Sequence, residues 1–166
     1  VDLGAGLDSG FYRVSPPSTV DWYSVDLPGI TAVRDEVLPA VPQSHSVPVS
    51  LADEYWPDAI PSDRPTMLIA DGLFAFLTEP LIAGIFRRIT ERFGSGELVF
   101  NDYGRIGWFS RLAIKLYPQK MFKDVGSQFG YPGFKDARHP QGWNPRMRLV
   151  EEASLVGAPE VDLFPG

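Results

Sequence analysis

Two glycines and two acids stand where a protein backbone could bind a polar ligand. Gly4 and Gly6 follow the apolar start of the chain, and Asp26 comes 20 residues after Gly6. Glycines at the end of a buried strand let the backbone approach a ligand, and an acid about 20 residues further on accepts hydrogen bonds from ribose hydroxyls. Asp71 follows another apolar run, 66–70. Two carboxylates in one crevice suit a ribose and an ammonium group better than a pyrophosphate, which favours S-adenosylmethionine over a dinucleotide.

Each of these features also has a purely structural interpretation. The two glycines could form a tight turn without a ligand. Asp26 could cap a helix that begins at Pro28. Asp71 could be the polar residue of a turn that continues at Gly72. Because all of these features follow apolar runs, their joint occurrence favours a ligand-binding crevice.

Apolar runs and helical patterns alternate along the chain. The predicted strands are 1–3, 19–27, 46–51, 66–70, 97–103 and 146–155. Helices are predicted after Pro28, after Thr78 and over 106–116. The first two carry apolar stripes, which are Ile30, Val33, Val37 and Leu38 in one and Ile82, Ile85, Phe86, Ile89 and Phe93 in the other. This alternation predicts an α/β fold with a mostly parallel sheet, helices on both faces, and a crevice at the carboxyl ends of the strands.

The bulk composition excludes several classes of protein. A chain of 166 residues with 44% hydrophobic and 22% charged residues suits one globular domain, 1–166. The net charge is −6 and there is no long basic run, which predicts no nucleic-acid partner. The basic residues scattered between 105 and 123 indicate a solvated helix face, with an anionic-substrate patch as the alternative. The chain has no cysteine, so disulfides and cysteine-based zinc sites are excluded. No apolar run reaches membrane-spanning length and no signal peptide is visible, so we expect a cytoplasmic protein.

The segments around the glycines and acids resemble those of the leucine carboxyl methyltransferase superfamily, especially its bacterial O-methyltransferases related to the tetracenomycin polyketide O-methyltransferase. That family shows runs like Leu-Gly-Ala-Gly-Leu-Asp-Thr-Arg, Glu-Val-Asp-Leu-Pro and Ala-Glu-Gly-Leu. The matching segments are 3–10 with Tyr12 and Arg13, 24–28, 70–73 with Phe76 and Leu77, 143–146 and 149–152. They follow the family's order over most of the chain.

The resemblance implies a Rossmann-like class I methyltransferase sheet, S-adenosylmethionine as methyl donor and S-adenosylhomocysteine as product. It also implies a small-molecule acceptor that carries a hydroxyl or a carboxylate. The residues implied to contact the cofactor are Gly4, Ala5 and Gly6 for its methionine part, Asp26 for its ribose, Leu27, Leu51 and Ala52 for its adenine, and Asp71 for its amino group.

The chain departs from the family's pattern at several positions. Gly10 stands where an arginine is usual, Ser50 where an aspartate is common, and Asp71 where a glutamate is common. Each change removes or shortens a polar contact. The family's N-terminal helical region has no counterpart here, so we expect a sheet truncated at its N-terminus. Such a chain could fold without turnover, and its uncovered edge could drive association into a homo-oligomer.

No catalytic dyad is evident, and methyl transfer from a sulfonium mainly needs alignment and the exclusion of water. The candidate bases are His45, His139 and Tyr103. No clustered spacing of histidines and carboxylates predicts a metal site. The aromatic residues of the second half could line an acceptor pocket or fill the core; they are Phe109, Tyr117, Phe122, Phe129, Tyr131, Phe134 and Trp143.

A nicotinamide-dependent oxidoreductase is the alternative function from another class. Its phosphate-binding turn would need a third glycine within the segment 7–9, which holds Leu, Asp and Ser. Gly10 comes one position too late for that pattern. The glycine spacing therefore favours the methyltransferase interpretation.

Overall fold

The first part of the chain folds into strands joined by helices, in the alternation that the sequence predicts. The computed structural model describes residues 1–102 and 130–153. Strands β1 to β5 are Asp2–Leu3, Trp22–Asp26, Ser44–Pro48, Thr66–Ala70 and Gly96–Phe100. Helices α1 to α4 are Gly10–Val14, Pro28–Val37, Glu79–Arg92 and His139–Trp143, and short 3-10 helices cover Trp56–Ala59 and Phe74–Phe76.

The five strands form one parallel sheet in the order β3-β2-β1-β4-β5. Asp2 of β1 pairs with Ser24 of β2 on one side and with Ile69 of β4 on the other. The chain therefore winds outward from β1 to β3 and then crosses to β4, and the winding direction reverses between β1 and β4. In such sheets, ligands bind at the carboxyl ends of the strands beside this reversal. The predicted α/β fold is confirmed.

One face of the sheet packs against α3 through apolar side chains. Helix α3 follows Thr78, and Pro80 lies in its first turn, where the missing N–H of proline costs no hydrogen bond. The predicted stripe of this helix is its buried side. The cluster comprises Leu3, Val25, Val47, Leu68 and Ala70 from the strands and Ile82, Ile85, Phe86 and Ile89 from α3.

Aromatic rings extend this core towards α4. The centroid of the Phe134 ring lies 5.1 Å from that of Phe100 and 5.6 Å from that of Trp143. Tyr131 and Phe134 are buried. These rings therefore fill the core, which was one of the two predicted alternatives. The other four aromatic residues considered for a pocket, Phe109, Tyr117, Phe122 and Phe129, lie outside the described residues.

Helix α2 is rotated differently from what its apolar pattern predicts. It buries Thr31 and Arg34, whereas Ile30, Val33 and Val37 are exposed. The predicted stripe is thus wrong for three of its members. The physical reason is that Arg34 makes hydrogen bonds beneath the glycine-rich turn, and these contacts fix the rotation of the helix.

Several predicted boundaries also need correction. Strand β3 ends at Pro48, so Leu51 and Ala52 lie in the turn beyond it. The segment 146–153 is not a strand, while 154–155 falls outside the described residues, as do the predicted helix 106–116, the basic region around it and Tyr103. Within the described ranges, no helix has the length and apolar character needed to cross a membrane.

Candidate functional site

The glycine-rich turn leaves β1 with two residues in left-handed backbone conformations. Gly4 has φ of +66° and Gly6 has φ of +50°, values that glycine adopts without steric cost. A Cβ on Gly4 would lie 2.7 Å from Leu73 Cδ1, so Gly4 is packed under the loop after β4. A Cβ on Gly6 would meet no atom of residues 1–102 and 130–153 within 4 Å. Gly6 is therefore the position where the turn presents bare backbone to open space.

Asp26 joins this turn to the end of β2. Its Oδ2 accepts a hydrogen bond of 2.7 Å from the N–H of Gly6, and its Oδ1 accepts one of 2.7 Å from the N–H of Leu27. An ionised carboxylate has about four acceptor positions, so each oxygen can accept one further hydrogen bond. Asp26 can therefore hold the turn and still bind a pair of hydroxyl groups.

Arg34 supports the turn from the side of α2, and the sequence interpretation missed it. The side chain is buried, and its Nη1 donates to the carbonyl of Gly6 at 3.1 Å and to that of Asp8 at 2.7 Å. The signal that could have found it is a single cation inside the apolar pattern of α2, eight residues after Asp26. A buried arginine needs such partners, because an unpaired buried charge is costly.

Asp2 is a second site residue that the sequence interpretation missed. It lies in β1, two residues before Gly4, and is only 6% exposed. Burial, with smaller contributions from the nearby carboxylates of Asp8 and Asp71, raises the pKa of this carboxyl to about 6, and Arg34 opposes the rise. The available signal was an acid inside an otherwise apolar strand.

Asp71 lies at the end of β4 in a small hydrogen-bond network with the end of β5. Asn101 donates its amide to Asp71 Oδ1, and its own Oδ1 accepts a hydrogen bond of 2.8 Å from Gly72 N–H. Gly72 has φ of +64°, which fits a tight turn after the strand. The sequence did not reveal Asn101, because nothing within its own segment marks it as a partner of Asp71.

The residues predicted near an adenine differ in their surroundings. Leu27 is exposed beside Asp26, and Ala52 is exposed in the turn after β3. The side chain of Leu51 is buried in the core cluster, and its carbonyl accepts a hydrogen bond of 3.3 Å from Arg88. The backbone near Asp26 meets this segment through Val49, whose N–H donates to the Asp26 carbonyl at 2.9 Å.

The contacts of the two histidines are with groups outside the glycine-rich turn. His45 pairs with Tyr23 near the amino ends of the strands, and its Nε2 lies 3.6 Å from Asp21 Oδ1. Pro48 is the residue of β3 that pairs with Asp26, and His45 stands three residues before Pro48. His45 therefore lies about 10 Å from the level of Asp26, towards the amino ends of the strands. His139 lies in the aromatic cluster, where its Nδ1 accepts a hydrogen bond of 3.2 Å from Lys135 N–H.

Acidic groups dominate the surroundings of the turn. Asp2, Asp8 and Asp71 interact electrostatically, and Asp26 contacts the turn directly. Arg13 donates to Asp8 at 2.6 Å and lowers the pKa of that carboxyl. The described residues contain no group of three or more histidines and carboxylates that could hold a metal ion. The arrangement suits an organic ligand that carries positive charge and hydroxyl groups.

The fold and the site define a Rossmann-like α/β protein whose glycine-rich turn and Asp26 meet at the sheet's reversal point, where such folds bind ligands. The chain belongs to the leucine carboxyl methyltransferase family, whose model matches residues 1–90. This confirms the resemblance noted in the sequence.

Two curated relatives align with most of this chain. The tetracenomycin polyketide synthesis O-methyltransferase TcmP of Streptomyces glaucescens is 29% identical over 157 residues, which cover 95% of this chain and 56% of TcmP. The S-adenosyl-L-methionine-dependent methyltransferase dpfgK of Gibberella zeae is 26% identical, over 78% of this chain and 46% of its own length. The chain thus spans about half the length of these relatives.

A solved structure of LepI in complex with SAM has the same fold. It matches with a TM-score of 0.57 at 14% identity, over 87% of this chain and 36% of LepI. At this level of identity the likeness concerns the fold alone.

Proposed function

We propose that the chain binds S-adenosylmethionine at the carboxyl ends of β1, β2 and β4, and that the protein methylates an oxygen of a small molecule. The observation that carries the proposal is the hydrogen bond from Gly6 N–H to Asp26 Oδ2. It joins an acid suited to a ribose directly to a turn suited to close backbone approach. Membership of the leucine carboxyl methyltransferase family supports the same assignment.

The chemistry of the residues fits this cofactor. The free acceptor positions of Asp26 suit the two ribose hydroxyls, and the open side of Gly6 leaves room for the methionine part. The carboxylates around the turn favour a ligand with a sulfonium and an ammonium group, because opposite charges attract more strongly where water is partly excluded. In this arrangement Asp71 serves the amino group, while Leu27, Leu51 and Ala52 form the adenine end.

Bound S-adenosylmethionine would supply a methyl group on a sulfonium, which an acceptor oxygen attacks in line. The task of the chain's residues is then to fix the donor and keep water out. A phenol or a carboxylic acid can ionise without a strong base. The proposed acceptor is a polyketide-like hydroxyl or a small carboxylic acid, and the name of TcmP supports the first.

Calorimetric titration of the intact protein with S-adenosylhomocysteine tests the cofactor assignment. We expect saturable binding that Asp26→Ala weakens by about 1 to 3 kcal/mol, the scale of lost hydrogen bonds to a charged group. Asp63→Ala is the matched control, because it removes an exposed carboxylate before β4, at the other end of the sheet. That control should bind like the wild type.

Two results would contradict the proposal. One is a folded protein that does not bind S-adenosylhomocysteine; the other is Asp26→Ala binding as tightly as Asp63→Ala. A nicotinamide cofactor that displaces the ligand would favour the oxidoreductase alternative. Transfer of an isotopically labelled methyl group to phenolic and carboxylic test compounds would then identify the acceptor class.

A further inference from the structure

Helix α2 buries polar groups where its sequence offers apolar ones. Arg34 is 3% exposed, whereas Val33 next to it is 44% exposed. Burying an arginine in place of a valine is unfavourable unless hydrogen bonds compensate for the lost hydration of its charge, so the partners of Arg34 indicate what its burial achieves. Among the described residues, its Nη1 contacts no carboxylate, and both of its hydrogen bonds go to backbone carbonyls of the glycine-rich turn.

These two bonds hold the turn from the side of α2. A trans peptide is planar, so its C=O and the following N–H point in opposite directions. When Arg34 draws the Gly6 carbonyl towards α2, the N–H of Leu7 points away from α2. Within the part of the chain that the structure describes, this N–H has no hydrogen-bond partner.

The Gly6 residue is thereby fixed through both of its peptide groups. Its N–H donates to Asp26 Oδ2 at 2.7 Å, and its carbonyl accepts from Arg34 Nη1 at 3.1 Å. Both partners belong to the continuous segment from β2 into α2. A single strand-helix unit therefore sets the conformation of a turn that begins 20 residues earlier in the chain.

We propose that Arg34 is a positioning residue of the cofactor site, which fixes the Gly6–Leu7 peptide so that the Leu7 N–H is aimed at an anionic group of the ligand. The inference rests on the proposed function, because it assigns that group as the carboxylate of the cofactor's methionine part. Arg34 itself contacts the turn and not the ligand. Lysine keeps the charge, but it replaces the fixed Nη1 of the planar guanidinium, which donates both bonds, by an ammonium on a flexible stem.

The test compares Arg34→Met, Arg34→Lys and Arg87→Met in the intact protein. Arg87 is an exposed arginine of α3 that pairs with Glu91 at 2.9 Å, so its replacement controls for the lost charge. We expect Arg34→Met to weaken S-adenosylhomocysteine binding at least tenfold and to speed amide hydrogen exchange of Gly6, whose N–H is hydrogen-bonded to Asp26, at least tenfold. Exchange in β2 and β4 should change less than twofold, Arg34→Lys should restore part of both effects, and Arg87→Met should show neither.

Each outcome decides a separate point. If Arg34→Met folds and leaves both the dissociation constant and the exchange at Gly6 unchanged, the proposal is overturned. If Arg34→Met does not fold, Arg34→Lys carries the test, and wild-type binding and exchange in that variant overturn it. If the wild type does not bind S-adenosylhomocysteine while Arg34→Met still loosens Gly6, the proposed function fails and the positioning of the turn stands.

Discussion

The two faces of the sheet differ in what they bury. Under α3 the strands present Leu3, Val25 and Leu68, which pack against apolar side chains of the helix. Under α2 the same strands present Asp2 and Ser24, which are buried next to each other in the register. Because adjacent residues of a strand point to opposite faces, Asp2 and Leu3 divide β1 between these two environments.

This difference indicates a division of tasks. The face under α3 stabilises the fold by burying apolar area, which contributes about 25 cal/mol per Å². The face under α2 contains an arginine and an acid that lower stability or contribute little to it, and both lie directly beneath the glycine-rich turn. The polar face therefore carries the contacts that hold the glycine-rich turn, and the apolar face supports the fold.

The largest expected effect is on the apolar face. Phe86→Ala removes a fully buried ring that contacts Phe74, 5.4 Å away between ring centroids. We expect a loss of about 3 to 5 kcal/mol in the free energy of unfolding, because the cavity cannot refill. Denaturant unfolding measures it. The neighbouring Arg87→Ala, on the exposed side of the helix, should lower the free energy of unfolding by less than about 1 kcal/mol. Equal losses in the two variants would contradict the stabilising role of the apolar face.

On the polar face, Asp2→Asn should make the protein more stable. The folded pKa of about 6 lies above the unfolded value of 3.8. The folded chain therefore holds this proton more tightly, and the free energy of unfolding falls as the pH rises from about 4 to about 6. Asparagine does not ionise and avoids that loss. The free energy of unfolding of the variant should therefore exceed that of the wild type by roughly 2 to 3 kcal/mol at pH 7 and should equal it at pH 4.

Unfolding curves at several pH values measure this gain. Glu97→Gln, which removes an exposed carboxylate on β5, should show no such pH-dependent gain. If Asp2→Asn destabilises the protein at pH 7, the acid contributes to the fold and the contrast between the faces is lost.

The turn itself should show a smaller effect on stability and a clear effect on binding. Gly6→Ala places a side chain at φ of +50° and fills the open side of the turn. We expect a loss of about 1 to 2 kcal/mol in stability and the loss of S-adenosylhomocysteine binding. Gly29→Ala in α2, where a Cβ also meets no atom within 4 Å in the part of the chain that the structure describes, should instead stabilise the protein by about 0.5 to 1 kcal/mol and bind normally. Normal binding by Gly6→Ala would show that the ligand lies elsewhere.

The contrast between the faces also explains what the sequence could predict. The bounds of β4, 66–70, and the buried stripe of α3 follow from local patterns, because an apolar face against an apolar core leaves a clear periodicity. The glycines and Asp26 were predictable because their spacing is characteristic of a nucleotide-type turn.

The polar face could not be predicted in the same way. Arg34 meets Gly6 and Asp8 through contacts that span 28 and 26 residues, and no pattern within α2 records them. Periodicity assigned the wrong side of α2 to the core, since it assumes that apolar residues are buried. Asn101 and Asp2 are likewise defined by neighbours on other strands.

The most direct test of the central claim is an electron-density map of the intact protein crystallised with S-adenosylhomocysteine. The account predicts ribose hydroxyls within hydrogen-bond distance of both Asp26 carboxylate oxygens, and the amino-acid part of the ligand over Gly6 and Leu7. A ligand bound elsewhere, with the Asp26 carboxylate contacting only the N–H groups of Gly6 and Leu27, would contradict it.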